Sequence, residues 1–168
     1  MAITACGFQP MYGDHSPAKM AHADLQKVRI AIVDHNEIRV LQSIRTGERL
    51  NQQLTNKLID RMYKSGYPRE PEYELMVNMQ MEERGLGIRK DATITRAELV
   101  MISEMVLRQS GSMEELYRTT IRTRVAYNIL EGQYGTLVAK ENAQDRALEE
   151  LANDIVTRTS LFLNRKNP

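Results

Sequence analysis

The sequence predicts an α+β fold: a two-layer α/β sandwich in the order β-α-β-β-β-α, with two helices packed on one face of a four-stranded, mostly antiparallel sheet. Three segments in the second half of the chain alternate apolar and polar residues with a period of two, which is typical of half-buried antiparallel strands. Two other segments repeat apolar residues at intervals of three and four, as amphipathic helices do. The length of 168 residues is sufficient for one hydrophobic core.

A short strand and a helix open the predicted domain. The strand spans 27–34 and places Val28, Ile30 and Ile32 on one face. The helix begins near 43–46 and carries an apolar stripe with a spacing of four: Leu50, Leu54, Leu58 and Met62. It ends at Ser65-Gly66, because glycine can adopt the left-handed cap and Pro68 forbids continuation. Since a helix joins this strand to the other three, a parallel partner for it within the sheet is compatible with the sequence.

The three alternating segments carry their apolar residues at odd positions. These residues are Tyr73, Leu75, Val77, Met79 and Met81, then Ala97, Leu99, Met101, Met105 and Leu107, then Tyr117, Ile121, Val125 and Tyr127. A second helix follows over 136–164, and its apolar stripe consists of Ala147, Leu148, Leu151, Ile155 and Phe162. We expect both helices to cover the odd-numbered face of the sheet.

Charge predicts how the last two strands align. Directly opposed residues must have numbers that sum to an even value if both apolar faces are to match. If the numbers of each two opposed residues sum to 222, three pairs of opposite charge lie directly across from each other. Each such pair stabilises a sheet. These pairs are Arg108 with Glu114, Glu104 with Arg118, and Glu98 with Arg124. We therefore predict this register, with the hairpin loop at 109–113.

The N-terminal region has the features of a leader. We expect 1–26 to be a lipid-anchor leader and tether, and 27–168 to be a single sandwich domain. Cys6 follows an aliphatic residue and two small residues, which is the pattern that is lipidated in bacterial lipoproteins, although an incidental cysteine also fits. A single cysteine excludes an internal disulfide bond. Acylation at Cys6, for example with palmitate, would attach the chain to a membrane.

Composition and motifs argue against catalysis, metals and nucleic acid. The 23 basic and 22 acidic residues nearly cancel, so no global field favours a nucleic acid. The three histidines, His15, His22 and His35, have no ligand partner at a metal-binding spacing, and we expect no metal or cofactor. No convergent acid–base or nucleophile set is recognisable, so we expect no enzymatic activity. The Gly85-Leu86-Gly87 string is interpreted as a hairpin connection, because no helix follows it.

Two sets of residues are candidates for binding. The first is a basic cluster at one tip of the sheet, suited to phosphates or carboxylates of an anionic glycolipid or simply solvated: Arg84, Arg89, Lys90 and Arg96. The second lies on the even-numbered face, which the helices leave open to a protein partner or to solvent. Its predicted partner-facing residues are Met76, Val100, Ile102, Arg122 and Arg124.

Several strings together resemble the LptE family of outer-membrane lipoproteins, in its alphaproteobacterial form. They are Cys6 to Gly13, Gly85 to Thr93 with Thr95-Arg96, Ala126-Tyr127-Asn128, Tyr134-Gly135-Thr136, and Arg146 to Ile155. The resemblance implies a lipid on Cys6, an α/β sandwich, and a position at the outer membrane as the plug of the LptD β-barrel, in a heterodimer that delivers lipopolysaccharide. It also implies contact with lipopolysaccharide through basic residues. An alternative is another periplasm-facing lipoprotein, which binds peptidoglycan or regulates an envelope enzyme.

Overall fold

The computed structural model describes residues 24–32, 44–63, 67–88, 94–112, 114–130 and 132–166. The strands are β1 (Val28–Ile32), β2 (Tyr73–Ile88), β3 (Ile94–Gln109) and β4 (Glu115–Asn128), and the helices are α1 (Ile44–Met62) and α2 (Gln133–Lys166). The four strands form one sheet in the order β1-β2-β3-β4. The predicted element order and fold class are confirmed.

The pairing of β1 is parallel, as the intervening helix allows. Val28 lies opposite Tyr73 and Ile32 lies opposite Val77, so β1 covers only the first third of β2. The remaining pairs, β2 with β3 and β3 with β4, are antiparallel. The short segment 24–27 precedes β1. Its Leu25 belongs to the core and is 2% exposed.

Both helices pack on the odd-numbered face of the sheet. α2 lies against β3 and β4, and α1 lies against β1 and α2. The core between the layers contains the predicted stripes, and its fully buried side chains include Leu54, Leu58, Leu75, Leu99, Leu107, Leu148, Leu151 and Ile155. Burying each such side chain stabilises the fold by about 1.5–3 kcal/mol, before the entropy of ordering the chain is counted.

The predicted register of the last hairpin is wrong. Leu99 lies opposite Val125 and Leu107 opposite Tyr117, which corresponds to a sum of 224 along most of the pair. A bulge between Leu107 and Arg108 then shifts the alignment, so that Arg108 lies opposite Glu115 rather than Glu114. In this register three arginines of β4 lie opposite apolar residues of β3 on the exposed face: Arg124 with Val100, Arg122 with Ile102, and Arg118 with Val106. Contact of the arginine stems with apolar residues replaces direct charge pairs, which are each worth little at an exposed site.

One predicted ion pair survives this change of register. Arg118 still bonds to Glu104, although their backbones are not directly opposed, because long side chains reach the diagonal neighbour. Glu98 and Arg124 do not oppose each other, since Arg124 faces Val100 and Glu98 faces Ala126.

The Gly85-Leu86-Gly87 string lies inside β2 and not in a hairpin connection, so that interpretation is wrong. Gly85 pairs with Ala97 and Leu86 pairs with Arg96. The strand continues to Ile88, which pairs with Ile94 at the start of β3. The turn between β2 and β3 lies outside the described residues, as do the predicted cap at Gly66 and all three histidines.

A hydrogen bond joins the end of α1 to the first strand. The hydroxyl of Tyr63 donates to the carbonyl oxygen of Val28 at 2.6 Å, in a buried setting. Burial raises the pKa of Tyr63 to about 12, and the nearby Tyr67 adds to the shift. The ring of Tyr63 also packs against that of Tyr67, with 5.1 Å between the ring centroids. This contact fastens α1 to the edge of the sheet.

We expect Tyr63→Phe to lower the free energy of unfolding by about 1 kcal/mol, because it removes the bond to Val28 and retains the ring. Tyr67→Phe is the matched control, since the Tyr67 side chain is 50% exposed. Urea denaturation of both variants measures the difference. Equal losses in the two variants would contradict a structural role for the Tyr63 hydroxyl.

Candidate functional site

The face of the sheet opposite the helices carries the predicted partner-facing residues. Because side chains alternate along a strand, Met76, Val100, Ile102, Arg122 and Arg124 share this even-numbered face. Arg122 and Arg124 are exposed, whereas Met76 and Ile102 are partly buried. Val100 is only 1% exposed, although the two described helices lie on the other face. We call the whole face of the sheet opposite the helices the outer face; its lower half lies towards the turn between β3 and β4, and its upper half towards the other end of these strands.

Arginine stems account for the burial of apolar residues on the outer face. Arg124 lies directly opposite Val100, Arg122 opposite Ile102, and Arg118 opposite Val106. Long arginine side chains lay their methylene stems over apolar neighbours and keep the guanidinium in water. The outer face therefore has an apolar floor and a cationic upper layer. Arginine is well suited to such a surface because its guanidinium offers several donors in one plane.

The lower half of the outer face is neutralised internally. The guanidinium of Arg118 donates to Glu115 at 2.9 Å and also bonds to Glu104. Arg108 donates to the same Glu115 at 3.0 Å. Bonds from Arg118 first, and from Arg108 second, lower the pKa of Glu115 to about 2. Arg29 on β1 pairs with Glu74 at 2.6 Å.

The upper half of the outer face contains three arginines that lack such pairing. Within the part of the chain that the structure describes, Arg96, Arg122 and Arg124 make no ion pair. All three are exposed. A cation without an internal partner can bind an external anion without first breaking an ion pair. The upper half is therefore the part of this face best suited to an anionic ligand or partner.

The predicted basic tip is continuous with the outer face. Arg84 lies opposite Glu98 and bonds to Glu82 at 2.6 Å, while Arg96 lies opposite Leu86 on one side and Asn128 on the other. Both side chains emerge on the even-numbered face, on the same side as Arg122 and Arg124. Arg89 and Lys90 lie outside the described residues. The structure thus brings together two sets of arginines that the sequence presents separately.

A second polar cluster lies on the opposite face, beneath the start of α2. Glu83 accepts a bond from Lys140 at 2.6 Å and another from the hydroxyl of Tyr127. Partial burial would raise the pKa of Glu83, but the bonds from Lys140 and Tyr127 outweigh burial and hold that pKa below its usual value. The same contact, together with burial, raises the pKa of Tyr127. The cluster fastens α2 to the sheet.

Sequence reasoning missed this cluster, although a signal was present. Glu83 occupies an odd position, where the period of two predicts a side chain that faces the helices. A carboxylate at such a position requires a partner, because an unpaired buried charge is costly. Lys140 and Tyr127 are those partners.

The described residues contain no group of three or more His, Cys, Asp and Glu side chains that could hold a metal ion. None of the described helices combines the length and apolar character needed to cross a membrane. Cys6, the predicted lipidation site, lies outside the described residues.

Comparisons with known proteins identify relatives of this chain. A family model described as "LptE: Lipopolysaccharide-assembly" matches residues 25–159. Among curated proteins no sequence matches the chain.

Solved structures share the fold. One is a proposed lipoprotein from Caulobacter crescentus CB15, with a TM-score of 0.63 and 20% identity, over 89% of this chain and 98% of that one. Another is rare lipoprotein B from Shewanella oneidensis, with a TM-score of 0.61 and 12% identity, over 84% and 98% of the two chains. Lipoprotein B from Nitrosomonas europaea has a TM-score of 0.59 and 17% identity, over 81% and 83%.

Protonation of Glu115 should weaken the fold at low pH. Because the pKa of Glu115 in the folded chain is about 2, below its ordinary value of 4.5, its ion pairs stabilise the fold fully above pH 4.5. This contribution is lost as the pH falls from 4.5 towards 2. We expect the stability difference between the unmodified chain and Glu115→Gln to shrink over that interval, as measured by urea denaturation at several pH values.

The neighbouring variant Glu114→Gln is the control for this prediction. The Glu114 carboxylate is exposed and makes no ion pair among the described residues. Its substitution should therefore have little effect at any pH. A larger effect from Glu114→Gln than from Glu115→Gln would contradict the observed register.

Proposed function

The chain belongs to the LptE family of lipopolysaccharide-assembly proteins, and from this premise we propose that it is a lipid-anchored outer-membrane component that plugs the LptD β-barrel and contacts lipopolysaccharide. The family match over 25–159 carries the proposal, because it covers nearly all of the sandwich. Similar structures that are described as lipoproteins support a lipid anchor, which we place at Cys6. Residues 1–26 then serve as the leader and tether, and 27–168 as the folded domain.

The outer face provides the surface for a barrel partner. The interior wall of an outer-membrane barrel is polar, whereas its lipid-facing wall is apolar. A plug for such a barrel needs a face with charged groups that accept polar contacts and an apolar floor that packs. Arg122 and Arg124 over Val100 and Ile102 have this composition. We propose that this face, with Met76, lies against the barrel wall.

The basic tip provides the contact with lipopolysaccharide. Lipopolysaccharide carries phosphates and carboxylates, and arginine binds such groups through two parallel hydrogen bonds. Arg96 is exposed without an ion pair among the described residues, and Arg84 is held nearby by Glu82. We propose that these two residues, together with Arg89 and Lys90, bind the anionic groups of the glycolipid. This role is one of binding and assembly, and it requires no catalytic group.

Charge reversal on the outer face should weaken binding to LptD. We expect Arg122→Glu with Arg124→Glu to reduce recovery of LptD in a detergent pull-down with the full chain by about tenfold, since each reversal replaces an attraction with a repulsion. The matched control is Arg158→Glu with Arg165→Glu, because both residues are exposed on α2. Undiminished recovery with the outer-face variant, or equal losses in both, would exclude this face as the barrel contact.

Charge reversal at the tip should weaken lipopolysaccharide binding separately. We expect Arg89→Glu with Lys90→Glu to reduce the affinity by about tenfold, because charge-assisted bonds to phosphate are strong. The thermal unfolding midpoint should stay nearly unchanged, because charged residues of this kind rarely contribute to a hydrophobic core. Fluorescence titration with purified lipopolysaccharide measures the affinity. Unaltered affinity would remove Arg89 and Lys90 from the site.

A further inference from the structure

The first turns of α2 are apolar and uncovered. Tyr134 is 80% exposed, Leu137 is 53% exposed and Val138 is 36% exposed. Positions separated by three and four residues lie on one face of a helix, so these side chains form a stripe. The fully buried positions of α2 begin only at Ala143. The helix therefore presents an apolar start that the core of this chain does not use.

Leu130 extends this stripe. Its side chain is 52% exposed, and its backbone nitrogen and oxygen both bond to the hydroxyl of Thr136, at 2.9 and 3.0 Å. A Cβ atom at Gly135 would lie 2.9 Å from Cδ1 of Leu130, so the leucine side chain packs directly on the helix. We call Leu130, Tyr134, Leu137 and Val138 the apolar tip.

The apolar tip is held in place by the sheet. Lys140 lies one turn after Leu137 and Thr136, and its ammonium bonds to Glu83 of β2. Glu83 in turn bonds to Tyr127 near the end of β4. Because α2 is fastened at this point, the apolar side chains are presented on a supported helix end. Leu86, which is 38% exposed, lies at the same end of β2.

Unpaired cations accompany the apolar tip. Among the residues that the structure describes, Arg96 near the start of β3 and Arg146 on α2 make no ion pair. Arg96 follows Thr95, whose carbonyl oxygen accepts a hydrogen bond from the backbone of Ile129, next to Leu130. The first turn of α2 contains no acidic residue. A helix N-terminus also carries a partial positive charge. An apolar stripe beside cations is complementary to a surface with acyl chains beneath anionic headgroups.

The size of the apolar tip favours a lipid surface over a protein. A stable protein–protein interface buries about 800 Å² on each partner, which is about 20–30 residues. Four side chains are too few for that, but a few apolar groups with nearby cations are sufficient for reversible attachment to a bilayer. Tyrosine is enriched where the headgroups meet the acyl chains, because its ring is apolar and its hydroxyl is polar.

We propose that the apolar tip docks on the surface of an anionic phospholipid bilayer. Leu130 and Leu137 enter the acyl boundary, Tyr134 lies at the level of the headgroups, and the neighbouring arginines contact the lipid phosphates. This attachment goes beyond the proposed function, because it needs neither an acyl group on Cys6 nor a barrel partner.

The acyl anchor proposed at Cys6 and the apolar tip can both contact one bilayer. β1 begins opposite Tyr73, so the N-terminal segment joins the sheet at the end remote from the tip. The sixteen residues of β2 span about 50 Å. The 17 residues from Gly7 to Ala23 can reach up to about 60 Å, so an anchor at Cys6 leaves the tip free to contact the same bilayer.

The experiment uses the full chain with Cys6→Ser, so that no acyl group contributes to binding. Co-sedimentation with phosphatidylcholine vesicles, with and without phosphatidylglycerol, measures the partition coefficient. We expect binding to the vesicles with phosphatidylglycerol, weaker binding to phosphatidylcholine alone, and release by salt. Tyr134→Ser with Leu137→Gln should lower the partition coefficient by about tenfold or more.

Leu161→Gln is the matched control. Leu161 is 51% exposed on the same helix, close to the exposure of Leu137, but lies at the other end of α2. It should retain full binding, and circular dichroism of all variants should show an unchanged fold. Equal binding of the tip variant and the Leu161 variant overturns the proposal.

Two further outcomes identify a different occupant and also overturn the proposal. A concentration-dependent dimer that the tip variant abolishes would assign the surface to a second copy of this chain. Loss of LptD recovery by the tip variant, with no vesicle binding in the parent chain, would assign it to the barrel. Failure to bind lipopolysaccharide or LptD would contradict the proposed function and leave the vesicle result standing.

Discussion

The structure depends on the pairing of two sixteen-residue strands, β2 and β3. Their antiparallel ladder runs from Tyr73 opposite Gln109 to Ile88 opposite Ile94. Because side chains alternate along each strand, this ladder determines which residues face the helices and which face outward along the whole length of the domain. β1, β4 and both helices are arranged on the two edges and the one apolar face that this pair provides.

The two faces of the sheet have different physical roles. The face beneath the helices is closed by apolar packing, and the carboxylate of Glu83 on this face is satisfied by Lys140 and Tyr127. On the other face, arginines of β4 lie opposite the apolar residues of β3, so that their stems can cover the apolar floor. Such a surface combines an apolar floor with guanidinium groups that remain hydrated.

Charge pairing and side-chain packing favour different registers in the last hairpin. This difference explains why the register predicted from charge is wrong. The exposed ion pairs are each worth little, since solvent screens them and ordering long side chains costs entropy. The observed register instead places arginines of β4 opposite Val100, Ile102 and Val106, so that their stems can cover these apolar residues. A bulge then gives Arg108 a partner in Glu115, and diagonal reach preserves the bond between Glu104 and Arg118. The charge pattern therefore identified one of the three ion pairs and did not predict the backbone alignment.

The sequence by itself determined the element order, the buried stripes and the even-numbered outer face. The reason is that the spacing of apolar residues within one segment indicates its secondary structure and which of its faces is buried. The sequence was also compatible with the parallel pairing of β1, and it presented the arginines at 84, 96, 122 and 124 as separate candidates. Only the tertiary structure decided the register, the continuation of β2 through Gly85 to Gly87, and the partners of Glu83. It also showed that the start of α2 is left uncovered. Each of these depends on which distant segments meet, and that is settled by the total packing of the core and not by any one stretch of sequence.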